Sequence, residues 1–219
     1  MYGGFKMRIF NRKKEKSEFF YYSKRDQDAY EKMIEERFGK YPEVMHEVMS
    51  AGLHIDVLPI PPSEGKDYYT LFTMGMGAYK MPTPANYGKI NRAELAIRLP
   101  ADWNIKSGEE KWYWPVRIIK SLARLPYYEK SWLGLYHDID FGDPFSADTK
   151  MCGVLLDLFE ESVAPLTLES GDQLLIYNMI PIYRSEMEYK NKHGAEALLE
   201  KMPEEVIRGP LDINRPSAV

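Results

Sequence analysis

Cysteine is nearly absent: Cys152 stands alone among 219 residues. A single thiol excludes an intrachain disulfide and any Cys-x-x-Cys motif, and it fits a reducing compartment. Histidine is scarce too, with four residues, and none has the His-Glu-x-x-His spacing that seats a metal on one helix face. No segment approaches the ~20 apolar residues of a membrane helix. Lys13, Lys14, Glu15 and Lys16 break the continuous run that a signal peptide would need. The net charge of −4 is too slight for the concentrated basic face that phosphate backbones demand. There is no internal repeat and no low-complexity tract. These absences point to a soluble, cytoplasmic protein that binds neither nucleic acid nor membrane.

What is present is ordinary globular usage, with 44% hydrophobic, 13% aromatic and 28% charged residues. The length suits one large domain. Residues 1–20 stand apart as a basic arm, where Arg8, Arg12, Lys13, Lys14 and Lys16 interleave with Phe5, Ile9 and Phe10. A solvated terminus is the simpler reading of that arm than a surface for RNA or membrane. Residues 21–219 form the expected domain.

Ser23 and Asp26 read as a capping box. Ala29, Tyr30, Met33, Ile34 and Phe38 recur at helical spacing, and Gly39 supplies a stop. A second helix is expected after Pro42, carrying Val44, Met45, Val48 and Met49. Leu53, Ile55 and Val57 alternate with His54 and Asp56 as in a half-buried strand, which Pro59, Pro61 and Pro62 should end. Tyr68–Met76 and Ala93–Leu99 are further strands, and short gaps between the three predict antiparallel neighbours. Pro115 should begin a helix that Pro126 ends. Strand patterns return at Trp132–His137, Val154–Phe159 and Leu174–Ile182, and helices close the chain at Glu186–Lys192 and Ala195–Lys201. The fold class is α+β: a large mixed, mostly antiparallel sheet covered by helices in a single domain.

Chemistry-bearing residues are few. His54 and Asp56 share one strand face, and with His137 they could build a metal-dependent hydrolase. A polar, hydrogen-bonded strand face is the plainer account, and no metal or cofactor is assigned. Cys152, beside Met151 and Val154, reads as a packed thiol. Gly75-Met76-Gly77 lacks the lysine of a phosphate loop and marks a turn or bulge. Aromatics crowd between Trp112 and Phe141. Trp114 and Trp132 belong to a core. Tyr127, Tyr128 and Tyr136, near a helix end, are candidates for a binding rim, with His137 and the acidic Asp138 and Asp140 alongside.

Several blocks together resemble the Suppressor of fused family, in a bacterial form. They are His46-Glu47, His54-Ile55-Asp56-Val57, Thr73-Met74-Gly75-Met76 with Met81-Pro82, and Glu94-Leu95 with Arg98-Leu99-Pro100 and Trp103. Trp114-Pro115, Leu122-Ala123-Arg124 and Leu133-Gly134 with His137 follow, then Pro181-Ile182-Tyr183, Glu186, Tyr189, Gly194 and Leu198-Leu199. The resemblance implies a non-enzymatic protein-binding domain. Animal relatives capture an extended peptide of a transcription factor at exposed sheet edges, between two lobes. Bacterial relatives look like immunity proteins that neutralise a polypeptide toxin. This sequence departs from the animal pattern in having one lobe's length, Leu125 after Leu-Ala-Arg where a tyrosine stands, and Tyr136 where an aspartate precedes the histidine. The expected partner is therefore another protein, a toxin domain or an extended peptide segment. A regulatory scaffold for an endogenous partner is a further alternative, and a homodimer is compatible with either.

Overall fold

In the computed structural model, which describes residues 5–6, 19–47, 52–160 and 162–219, Ser23 caps the first helix as its position predicts. Its hydroxyl accepts the Asp26 N–H at 3.1 Å, and α1 runs Lys24–Phe38 to Gly39 at φ +117°. The Asp26 carboxylate accepts the Glu169 N–H at 2.8 Å, so half of the expected box serves to tie the helix start to a distant loop.

Eight strands among the described residues form one sheet: β1 Phe5–Lys6, β2 Asp56–Ile60, β3 Tyr68–Met74, β4 Ile90–Pro100, β5 Asp138–Asp140, β6 Gly153–Leu158, β7 Leu166–Thr167 and β8 Gln173–Ile182. The order is β1-β5-β6-β8-β4-β3-β2, with β7 also on β8. The β4–β8 and β1–β5 pairs are parallel and the rest antiparallel. The sheet is therefore mixed and mostly antiparallel, and β2, β3 and β4 are the consecutive neighbours that their short gaps predict.

Helices cover both faces. On one, α2 (Glu110–Glu129) packs Trp114, Ile119 and Leu122 against Leu95, Ile97, Val154 and Met179. On the other, Tyr30, Ile34 and Phe38 of α1 meet Leu58, Phe72 and Ala96. Beside α1 on that face lie α3 (Arg184–His193), α4 (Ala195–Leu199) and α5 (Glu204–Arg208), over Leu155, Ile180 and Ile182. Double coverage explains why all five residues of β2 are buried, where alternation had predicted a half-buried strand.

Other expectations are corrected by tertiary context. Pro59 lies within β2, at an edge where a missing N–H is tolerated. The described residues after Pro42 are not helical; Met45 instead exchanges backbone hydrogen bonds with Val57 at 2.9 and 3.3 Å. Val48 and Met49 lie outside the described residues. Both Pro115 and Pro126 are inside α2, which starts five residues before the first and ends three after the second. Each proline removes one helical hydrogen bond, and burial of ten α2 residues outweighs that. The Trp132–His137 strand is absent: Gly134 and His137 close a turn at 3.1 Å, and β5 begins one residue later.

The sheet also forks. β4 and β8 pair only as far as Ala96 and Asn178. Beyond that point β4 continues with β3, and β8 with β6. Residues 205–215 fill the fork: Leu211 N–H donates to the Arg98 carbonyl at 2.9 Å, Asn178 Nδ2 to the Ile207 carbonyl at 2.6 Å, and Arg215 Nη2 to the Pro181 carbonyl at 3.0 Å. Carbonyls of Ile176 and Ile182 face β6, accepting from Phe159 and Cys152. By the two-residue period Pro181 faces the fork, where no ladder partner needs its missing N–H.

Candidate partner-binding site

A sheet offers a partner its outer edges, so the state of each edge comes first. The β2 edge is closed in two ways. Met45 already pairs with Val57, and the next outward-facing residue, Pro59, has no N–H to donate. At the opposite side, Phe141 N–H donates to the Cys152 carbonyl at 2.9 Å and Leu156 N–H to the His137 carbonyl at 2.9 Å. Odd-numbered residues thus face β6, and the backbone groups of Asp138 and Asp140 face outward. There β1 pairs in parallel, Phe5 opposite Ile139 and Lys6 opposite Asp140.

The two aspartates of β5 turn their side chains to α3. Asp138 pairs with Lys190. Asp140 receives both terminal nitrogens of Arg184, at 2.9 and 3.1 Å. The acidic patch expected here is therefore balanced by cations from one helix. His137 packs at a tilt against Trp132, 4.3 Å between ring centroids. Burial, and then the charge of Lys190, hold its imidazole below the ordinary histidine value.

Tyr136 precedes this strand with φ +66°, a left-handed conformation that costs a bulky residue of order 1 kcal/mol or more. It lines an open recess of about 660 Å³ with Tyr87, Leu135, Lys190, His193 and Glu200. The recess has room for several side chains, a volume in the range that holds a drug-sized ligand. Gly134 is required two residues earlier, because a Cβ there would lie 2.4 Å from the Trp132 ring. Trp132 in turn packs edge-on to Tyr87 at 4.6 Å. Tyr136 and His137 thus lead into β5, and Asp138 and Asp140 are its first and last residues.

Tyr127 and Tyr128 lie elsewhere, at the end of α2. Tyr127 is 9% exposed. It is enclosed by Phe20 and Tyr79, each 5.7 Å away, and by Tyr128 at 5.3 Å. Its ring is in the core, and Tyr128 is half-buried against it.

His54 and Asp56 do meet, with Nε2 2.9 Å from Oδ1. The third group at that carboxylate is His46, 3.1 Å from Oδ2, and the Glu47 N–H also donates to it at 2.9 Å. His137 is not there: four strands separate β2 from β5, beside which it sits. Among the described residues no group of three His, Cys, Asp or Glu side chains is arranged to hold a metal ion. Cys152 is buried, and burial pushes its thiol up.

Sequence reasoning missed one buried constellation. The Glu94 carboxylate is fully buried. It accepts from Tyr22 at 2.5 Å, Thr73 at 2.6 Å, and the N–H groups of Gly75 and Gly77 at 2.8 and 3.0 Å. The glycine-rich turn does cradle an acidic group, and that group is the protein's own carboxyl. Phosphate-loop spacing could not reveal it, because the acid comes from the next strand.

A family model described as Suppressor of fused protein matches residues 52–216. A crystal structure of a protein assigned as a Suppressor of fused homolog from Neisseria gonorrhoeae FA 1090 superposes with TM-score 0.65 at 16% identity, covering 90% of this chain and 98% of that one. The Sufu–Fu complex gives TM-score 0.61 at 12% identity, with 87% and 89% covered. Drosophila Suppressor of Fused gives 0.57 at 11%, and there 88% of this chain spans half of the other. An uncharacterized protein of Ureaplasma parvum serovar 3 is 25% identical over 190 residues, 82% of this chain and 90% of that protein. The family match spans three quarters of the sequence and the fold agrees: this chain belongs to the Suppressor of fused family.

Proposed function

We propose that this chain is a protein-binding domain without catalysis of its own, holding an extended segment of another polypeptide along the outer edge of β5 with one side chain seated beside Tyr136. The observation that carries this reading is the adjacency of that edge to the recess of about 660 Å³, while the β2 edge is closed by Met45 and Pro59. Main-chain pairing supplies affinity in such a mode and the recess supplies selectivity. The family includes a protein solved in complex with Fu, which supports a binding role. The finer reading is a cytoplasmic immunity-type protein that sequesters a toxin polypeptide.

The test is affinity capture of the tagged protein from its own cells, beside an Asp140→Pro variant that lacks the outward N–H of β5. One stoichiometric polypeptide, retained by the parent and lost with the variant, is the expected result. Equal retention by both moves the interface off β5. Co-expression decides the toxin role: a captured polypeptide that kills cells alone and is silenced by this chain establishes it.

A further inference from the structure

The outer edge of β5 already has an occupant from within the chain. Phe5–Lys6 pairs with it in parallel, in register with Ile139 and Asp140. The next described residue pair on the N-terminal side of α1 is far off along the sheet, where Phe20 bridges Leu53 and donates to the Gly52 carbonyl at 2.9 Å. From β1 to β2 there are six strand spacings, about 29 Å in all. The number of residues between Lys6 and Phe20 sets a maximum reach of roughly 46 Å, more than this distance. The segment also carries Arg8, Arg12, Lys13, Lys14 and Lys16, a basic composition opposite in sign to the exposed Asp143 and Asp148 beyond β5.

We propose that the N-terminal segment is an internal ligand of the β5 edge, which an incoming strand must displace. This rests on the reading that the β5 edge is the docking site. The occupant shows what that site accepts: an extended segment, parallel to β5. A tethered ligand competes at an effective concentration on the order of millimolar. It therefore reduces the apparent affinity of any external strand in proportion to the fraction of time the edge is open. Only partners that exceed this threshold engage, which turns a sticky sheet edge into a selective one.

The experiment uses the full chain and a labelled synthetic peptide of residues 1–12 as probe, followed by fluorescence anisotropy. The Phe5→Pro/Lys6→Pro variant removes both β1 amide donors and leaves β5 intact. It should bind the peptide at least ~5-fold more tightly than the parent. A peptide carrying the same two prolines should not bind. Amide exchange at Asp138 and Asp140 should be faster in the variant than in the parent. Equal peptide affinity in parent and variant, or no binding by either, overturns the proposal. If cellular partner capture is still abolished by Asp140→Pro in that case, the docking-edge reading stands and only self-occupancy falls.

Discussion

The Asp138 carboxylate and the Lys190 ammonium pair with side-chain exposures of 5% and 6%, fixing α3 onto the strand at the sheet edge. Neither charge has water to fall back on, so breaking the pair is worse than removing it. Lys190→Met should lower unfolding free energy by about 3–5 kcal/mol. The double change Asp138→Leu/Lys190→Met should recover most of that loss in urea denaturation. Additive losses would mean that the two charges are stabilised independently.

Tyr136 tests site against fold, because its backbone is in a conformation that glycine adopts freely. Tyr136→Gly relieves that strain while removing a ring from the recess wall. The two effects offset, keeping stability within about 1 kcal/mol of the parent. Affinity for the captured partner should fall about tenfold or more. Unchanged affinity would place the partner away from this recess.

Burial raises the Glu94 pKa, and the four donors around it only partly counter that. A folded-state value above the unfolded one means stability is fully present below the ordinary glutamate range and is lost as pH rises through the folded value. Glu94→Gln removes this titration and turns an amide NH₂ towards existing donors, costing about 1–3 kcal/mol. Urea unfolding at pH 5 and at pH 7.5 checks the sign: the parent's advantage over the variant should be larger at pH 5.

Asp172 behaves in the opposite sense. Burial alone would raise its pKa, but hydrogen bonds from Lys80, Asn91, Arg92 and Ser170 outweigh burial and hold it far below the ordinary carboxylate range. Its contribution is present above the unfolded value of ~3.9 and is lost as pH falls below it. Asp172→Asn should flatten the acid limb of a thermal-stability profile below about pH 4. An unchanged acid limb would assign acid sensitivity to other carboxylates.

What the sequence disclosed followed local rules. Ser23, the Tyr30–Ile34–Phe38 stripe and Gly39 predicted α1, and short gaps predicted the β2–β3–β4 meander. Three misreadings share one cause. Pro59, Pro115 and Pro126 were weighed by what proline does locally, whereas edge position and helix burial decided their tolerance. At the candidate site Tyr136, His137, Asp138 and Asp140 were legible because they are contiguous. His46 joining His54 at Asp56, and Gly75 and Gly77 closing on Glu94, were not, since those contacts depend on which strands become neighbours.

The forked sheet has a kinetic consequence. β4 and β8 pair in parallel across roughly eighty residues of intervening chain, and such non-local pairing slows folding. Residues 205–215 come after every strand in the sequence. A nascent chain with the whole sheet already outside the ribosome still lacks the segment that closes the fork. Until residues 205–215 dock, the ends of β4 and β8 stay unsealed, and their apolar surface is open to aggregation.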